Sequence, residues 1–246
     1  MTHLLIRDCH GANAPRNDKR KKIGLPDNIR ANLESVKRRI AQACQRMGRA
    51  SEEVTLVAVT KGVEPSIIAE AFNLGIRDFG ENRIQEAEEK IRLLADLQPH
   101  PVWHMVGHLQ SNKAKSALAL FDMIHSIDSI KLAELLSRHT QKTTPVLLQA
   151  NVSGEASKSG FSVAEIGQAV EAISCLPNIE VKGLMTIAPV VSHAEDVRPV
   201  FKKLRELRDS FGLEHLSMGM TDDFEVAVEE GATMVRLGRA IFGERR

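Results

Sequence analysis

Between residues 54 and 243 the chain switches eight times from a short, mainly apolar run to a stretch whose apolar residues recur every three or four positions. The runs are VTLVAVTK (54–61), DFGEN (78–82), PVWHMVG (101–107), MIHSID (123–128), TPVLLQANV (144–152), IEVKGLMTI (179–187), LEHLSMGM (213–220) and TMVRLG (233–238). The stretches between them open at Glu64-Pro65-Ser66 and at Arg83. They then cover 111–120, 130–140, 162–175, 194–211 and 222–230, with one helical turn left after 238. Each cycle takes about 24 residues, room for one strand, one helix and two short connections. Strands spaced in this way lie parallel and are joined by right-handed crossovers. Eight near-equal units without a long insertion predict an α/β chain closed into a (β/α)8 TIM barrel. An open doubly wound sheet is the alternative that the same alternation permits.

Ahead of the first strand, Ile29, Leu33, Val36, Ile40 and Cys44 mark an amphipathic helix over 26–47. It is extra to the eight units and is expected to cover the barrel's N-terminal side or a gap between outer helices. One domain over 25–246 accounts for all of these elements. Residues 1–24 carry six basic and two acidic side chains, a net +4, and the only apolar run, HLLI, is too short for a signal-peptide core. They read as a solvated, poorly ordered basic extension. Over the whole chain 33 basic side chains face 32 acidic ones, so no long-range field draws in nucleic acid or anionic lipid. No run of apolar residues is long enough to span a membrane. Cys9, Cys44 and Cys175 cannot all pair and match no metal-ligand spacing, as expected in a reducing cytoplasm.

In a closed barrel the chemistry belongs at the C-terminal ends of the strands, with anions held after strands seven and eight. Lys61 ends the first strand. Apolar residues behind it would desolvate its ammonium and favour the nucleophilic amine. A lysine snorkelling to solvent at a strand end satisfies the same pattern. The seventh and eighth strands run into GMTDD (219–223) and RLGRAIFG (236–243). Gly219, Gly238 and Gly243 allow backbone N–H groups to approach an anion, and Thr221 adds a hydroxyl. Tight turns and an N-cap at Thr221 would account for the same residues. A reactive lysine facing an anion corner points to an aldehyde cofactor carrying a phosphate, which is pyridoxal 5′-phosphate.

VAVTK (57–61), FGENRIQE (79–86), WHMVGHLQSNK (103–113), SID (126–128), SKSG (157–160), GLMTI (183–187) and LSMGMTDDFEVAVEEGATMVRLGRAIFG (216–243) closely resemble the pyridoxal phosphate homeostasis proteins. The resemblance runs from about Asn28 to Arg245. It implies that Lys61 carries the cofactor as an aldimine. It also implies that Thr221, Met220 and the backbone of Gly238 and Arg239 form the phosphate loop, that Arg236 lies against the pyridine nitrogen, and that Asn82 lies near the ring hydroxyl. Arg239 stands where relatives frequently have serine or threonine, so this chain must manage there with backbone alone.

Two further residues are candidates. His104 would point into the barrel mouth or be a hydrogen-bonded core histidine. Lys158, after the fifth strand, would guard the cofactor, offer it a second landing site, or be a solvated lysine. Met185 and Met218 read as barrel filling.

The fold implied by the resemblance is also that of the alanine racemase N-terminal domain, so an active amino-acid racemase is the competing reading. Such racemases add a C-terminal β-domain with a catalytic tyrosine. This sequence contains no tyrosine and is expected to lack that domain. An arginine at the ring nitrogen gives up no proton there, which leaves the ring a poorer electron sink. The expectation is a monomeric carrier that stores, buffers or delivers pyridoxal phosphate, with apo-forms of enzymes that use it as recipients.

Overall fold

Eight parallel strands close on themselves in the computed structural model, which describes residues 25–155 and 158–244. The expected basic extension over 1–24 lies outside the described residues. Chain order is α1 (Leu25–Arg46), β1 (Thr55–Val59), α2 (Pro65–Asn73), β2 (Asp78–Glu81), α3 (Ile84–Leu93), β3 (Val102–Met105), α4 (Ala114–Leu120), β4 (Met123–Ile127) and α5 (Ile130–His139). There follow β5 (Thr144–Asn151), β6 (Phe161–Ser162), α6 (Ile166–Ser174), β7 (Ile179–Met185), α7 (Arg198–Ser210), β8 (His215–Ser217), α8 (Phe224–Glu229), β9 (Met234–Leu237) and α9 (Arg239–Phe242). The ring runs β1-β2-β3-β4-β5-β7-β8-β9 and back to β1, where Val57 is in register with Asp78 on one side and Arg236 on the other. Closure excludes the open sheet.

Alternation along each strand divides the core in two. Val57, Val106, Leu147, Met185 and Met234 fill a layer of the lumen. The other face of each strand packs under the helices, where Phe79 and Trp103 stack with ring centroids 5.5 Å apart. Met185 and Met218 are both fully buried, the first in the lumen and the second under the helices.

The apolar face predicted for the first helix is buried and lies against α2, α8 and α9. Asn32 Nδ2 donates to the carbonyl of Ile241 at 3.0 Å, and Arg39 pairs with Glu225 at 2.8 Å while stacking on the Phe224 ring. Of the two expected placements, α1 takes the outer one and straps the last two β/α units to the first. Burying each of its larger apolar side chains contributes about 1.5–3 kcal/mol.

Two segments depart from the sequence reading. The seventh barrel strand, β8, has three residues rather than the whole of 213–220, because Gly219 turns the chain with φ +91. The helix expected from 162 starts at Ile166, since Phe161 and Ser162 pair with Ala150 and Asn151 as the short outer strand β6.

Candidate functional site

Four adjoining clefts open at the C-terminal ends of the barrel strands, and Asn82, just past the end of β2, lines all of them. Lys61 lines two, of about 400 and 140 Å3. Thr221, Met220 and Arg236 line a third of about 250 Å3, and Gly238 and Arg239 line both this one and the smaller Lys61 cleft. The predicted lysine and the predicted anion corner therefore meet around one mouth.

Lys61 stands two residues beyond β1 on a firmly held loop. Thr60 donates from Oγ1 to Glu81 Oε1 at 2.6 Å, and Lys90 Nζ donates to the carbonyl of Thr60 at 2.6 Å. Lys90 also pairs with Glu81 at 2.7 Å and Glu86 at 2.6 Å, and Glu86 accepts from the N–H of Gly62. Burial pushes the Glu81 carboxyl up, against the opposing pull of Lys90 and Thr60. Lys61 itself is half-buried, and among the described residues its Nζ makes no hydrogen bond or ion pair. The loop is anchored while the amine stays available.

The anion corner is built mainly from backbone. Its turn requires glycine at 219, where a Cβ would stand 2.6 Å from that of Ala227. Met220 N–H donates to Asp223 Oδ1 at 2.6 Å, which folds the loop back on itself. Among the described residues the backbone N–H groups of Thr221, Gly238 and Arg239 donate no hydrogen bond. Thr221 Oγ1 accepts only a long bond, 3.4 Å, from Ala240 N–H. Arg239 turns its side chain outward to Asp222 at 2.6 Å and Glu244 at 3.3 Å, leaving its N–H to the cleft.

Arg236 projects from β9 into the mouth and is almost wholly buried. Its Nη1 donates to Ser217 Oγ at 2.6 Å and its Nη2 to the carbonyl of Thr186 at 2.8 Å. Burial pulls its pKa down to about 10, so it remains cationic near neutrality. Among the described residues Asn82 Oδ1 is buried without a hydrogen-bond partner. Gly107 makes this packing possible, since a Cβ there would stand 2.5 Å from the Asn82 carbonyl oxygen.

Of the two further candidates, His104 does not reach the mouth. It is buried in the lumen between His125 (2.9 Å) and Asp78 (3.0 Å), the hydrogen-bonded core position of the two expected. Lys158 lines the cleft of about 300 Å3 and pairs with Glu155 at 2.7 Å. Reading the sequence missed Asp78, His125 and Ser217 in the lumen and the Glu81–Lys90 pair behind Lys61. The available signal was polar residues at inward-facing strand positions, where an unpartnered polar group costs about 1–3 kcal/mol.

The donor set has a definite chemistry. An unpaired amine suits a carbonyl carbon. Three open N–H groups and a hydroxyl suit a dianion, a buried guanidinium suits a ring acceptor, and the orphaned Asn82 oxygen suits a donor. Pyridoxal 5′-phosphate presents a matching aldehyde, phosphate, ring nitrogen and ring hydroxyl, so the residues present fit the predicted cofactor.

Residues 27–246 match the family described as alanine racemase, N-terminal domain. The pyridoxal phosphate homeostasis protein of Aquifex aeolicus is 43% identical over 228 residues, covering 89% of this chain and 99% of that one. PipY of Synechococcus elongatus, solved with PLP bound, superposes with a TM-score of 0.77 at 36% identity, covering 87% of this chain and all of that one. Alanine racemase from Corynebacterium glutamicum superposes with a TM-score of 0.65 at 18% identity, covering 88% of this chain and 60% of the racemase, a likeness of fold alone.

Proposed function

The chain belongs to the pyridoxal phosphate homeostasis proteins, within the alanine racemase N-terminal domain family, and on that premise we propose that it holds pyridoxal 5′-phosphate on Lys61 in order to store, buffer or deliver it. One observation carries the reading. Among the described residues an unpaired lysine amine, Lys61, shares the cleft of about 140 Å3 with Gly238 and Arg239 of an anion corner that has three open N–H groups, and the rest of that corner lines the adjoining cleft of about 250 Å3. When bound, pyridoxal phosphate supplies an aldehyde that condenses with amines. Lys61 offers the amine, and the Glu81–Lys90–Glu86 cluster keeps its loop in place.

Thr221 Oγ1 and the N–H groups of Thr221, Gly238 and Arg239 donate to the phosphate, with Met220 walling the cleft. Arg236 keeps its proton and faces the ring nitrogen as a cation. Asn82 Oδ1 accepts from the ring hydroxyl. Lys158, on the next cleft, stands where cofactor entering or leaving would pass. A buried cation beside the ring nitrogen supports holding rather than turnover, so we read the chain as a carrier and not an enzyme. A monomer in the cytoplasm, made of one barrel domain over 25–246, completes the reading, with apo-enzymes as recipients. Among the described residues no helix is long and apolar enough to cross a membrane.

The test is borohydride reduction of protein loaded with pyridoxal phosphate, followed by peptide mapping. The label is expected on Lys61 and lost in Lys61→Ala. Label confined to Lys158 or another lysine overturns the assignment.

A further inference from the structure

Beneath the mouth, a chain of side-chain hydrogen bonds crosses the lumen from β9 to β2. Arg236 Nη1 lies 2.6 Å from Ser217 Oγ, and the same oxygen lies 2.9 Å from His125 Nδ1. His125 Nε2 lies 2.9 Å from His104 Nδ1, with the two rings at 89°. His104 Nε2 lies 3.0 Å from Asp78 Oδ1. The first four residues are buried, whereas Asp78, the first residue of β2, keeps 27% of its side chain exposed.

Proton counting gives the chain a direction. Arg236 can only donate, and an ionised Asp78 can only accept. His125 is held well below the ordinary histidine range by burial first, then by His104, Arg236 and His215, so its ring is neutral with one donor and one acceptor. With both rings neutral, only one assignment avoids setting two acceptors against each other at Asp78. Arg236 donates to Ser217, Ser217 to His125 Nδ1, His125 Nε2–H to His104 Nδ1, and His104 Nε2–H to Asp78. A proton added at His104 would reverse both histidine links and leave the Ser217 hydroxyl hydrogen without an acceptor in the chain.

We propose that Ser217, His125, His104 and Asp78 are positioning residues for Arg236: the relay holds one arm of the guanidinium by Ser217, so that its remaining hydrogens face the mouth, and couples that cation to the charge state of Asp78 on β2, on the far side of β1. This rests on the reading that Arg236 faces the ring nitrogen of bound pyridoxal phosphate. It adds that the orientation of this cation is set by residues that never touch the cofactor. Filling side chains would serve only stability, whereas a relay must also transmit a change made at its far end.

Two measurements decide the matter. Long-range 15N–1H NMR of the imidazoles in the intact cofactor-free chain reads the tautomers, and the His125 ring is expected to carry its proton on Nε2, facing His104. Visible absorption and affinity for pyridoxal phosphate are then compared in wild type, Asp78→Asn, Ser217→Ala and Ser217→Thr. Asp78→Asn should shift the band of the bound cofactor and weaken binding about threefold. Ser217→Ala should do both more strongly, about tenfold in affinity, and Ser217→Thr should recover most of each. A proton on His125 Nδ1 overturns the proposal. So does a wild-type band and affinity in both Asp78→Asn and Ser217→Ala when only their thermal stability falls. Wild-type protein that takes up no pyridoxal phosphate overturns the cofactor reading instead, and the tautomers, read without cofactor, still decide the relay.

Discussion

Arg239 and Asp222 join the two loops of the anion corner from the outside, with Nη2 2.6 Å from Oδ2 and both side chains exposed. The pair ties the loop after β8 to the turn after β9, while among the described residues the N–H groups of Gly238 and Arg239 donate no hydrogen bond. An exposed pair of this kind is strongly screened. Arg239→Ser, which installs the small hydroxyl residue frequent in relatives, should therefore change affinity for pyridoxal phosphate by less than about threefold. A loss approaching that of Thr221→Ala would show that the guanidinium itself meets the phosphate.

Thr221→Ala removes a hydroxyl donor to a dianion, a charge-assisted bond of about 1.5–3 kcal/mol. Affinity for pyridoxal phosphate should fall roughly ten- to a hundredfold, with far less effect on unphosphorylated pyridoxal. Titration of both ligands checks it. Equal losses for the two would place Thr221 away from the phosphate.

The barrel could be read from the chain because both of its signals are local: β-branched runs give the strands, and three-to-four-residue spacing gives the helices. Lys61, Thr221 and Gly238 were legible for the same reason, since strand ends in this fold have an assigned role. The outer strand β6 was not, because two residues carry no alternation. The lumen relay was hidden more deeply. Alternation says that Asp78, His104, His125, Ser217 and Arg236 point inward, but not which of them meet across the barrel. That follows from the register of separate strands and from a contact between β4 and β8, which are not neighbours in the ring. His104 could thus be named from sequence while its partners could not.

Behind Lys61, the pair of Lys90 and Glu81 is buried on both sides. Lys90→Met would leave the Glu81 carboxylate in a low-dielectric site without its cation, at a cost of about 3–5 kcal/mol. Replacing both residues, Glu81→Leu with Lys90→Met, should recover part of that stability, because no fully buried charge is then left, although the partly buried Glu86 and Thr60 still lose a partner. Urea midpoints for the single and double variants test this. A single variant within about 0.5 kcal/mol of wild type would mean that water reaches Glu81.

Acid should loosen the strap that α1 forms. Burial acts to raise the Glu229 carboxyl, but hydrogen bonds from Arg198 and Arg46 outweigh it and hold it below its ordinary 4.5. A carboxylate depressed in the folded state contributes stability above 4.5 and loses it as pH falls through the lowered value. Glu229→Gln should cost about 1 kcal/mol near neutrality and almost nothing once the pH is well below the lowered value, which flattens the acid limb of the stability profile. Urea midpoints for both proteins across that range give the answer, and an equal deficit at every pH would assign the loss to packing instead of charge.

Holding and turnover make opposite demands on the ring nitrogen. Turnover of amino acids gains from a protonated ring, which draws electrons from the substrate carbon, whereas holding needs only an amine and a fixed aldehyde. Arg236 is buried with a pKa near 10 and donates two hydrogen bonds to the protein, so it presents a positive donor and retains its proton. The 246 residues contain no tyrosine to act as the second acid–base group of a racemase. Protein loaded with pyridoxal phosphate should therefore restore activity to an apo-enzyme that requires the cofactor, and should exchange the α-proton of amino acids no faster than free pyridoxal phosphate does. Both assays run on one preparation, with Lys61→Ala as the control. Exchange at enzyme-like rates, roughly 1 per second or more and lost in Lys61→Ala, would make the chain an amino-acid enzyme and leave the arginine at the ring nitrogen as the feature to explain.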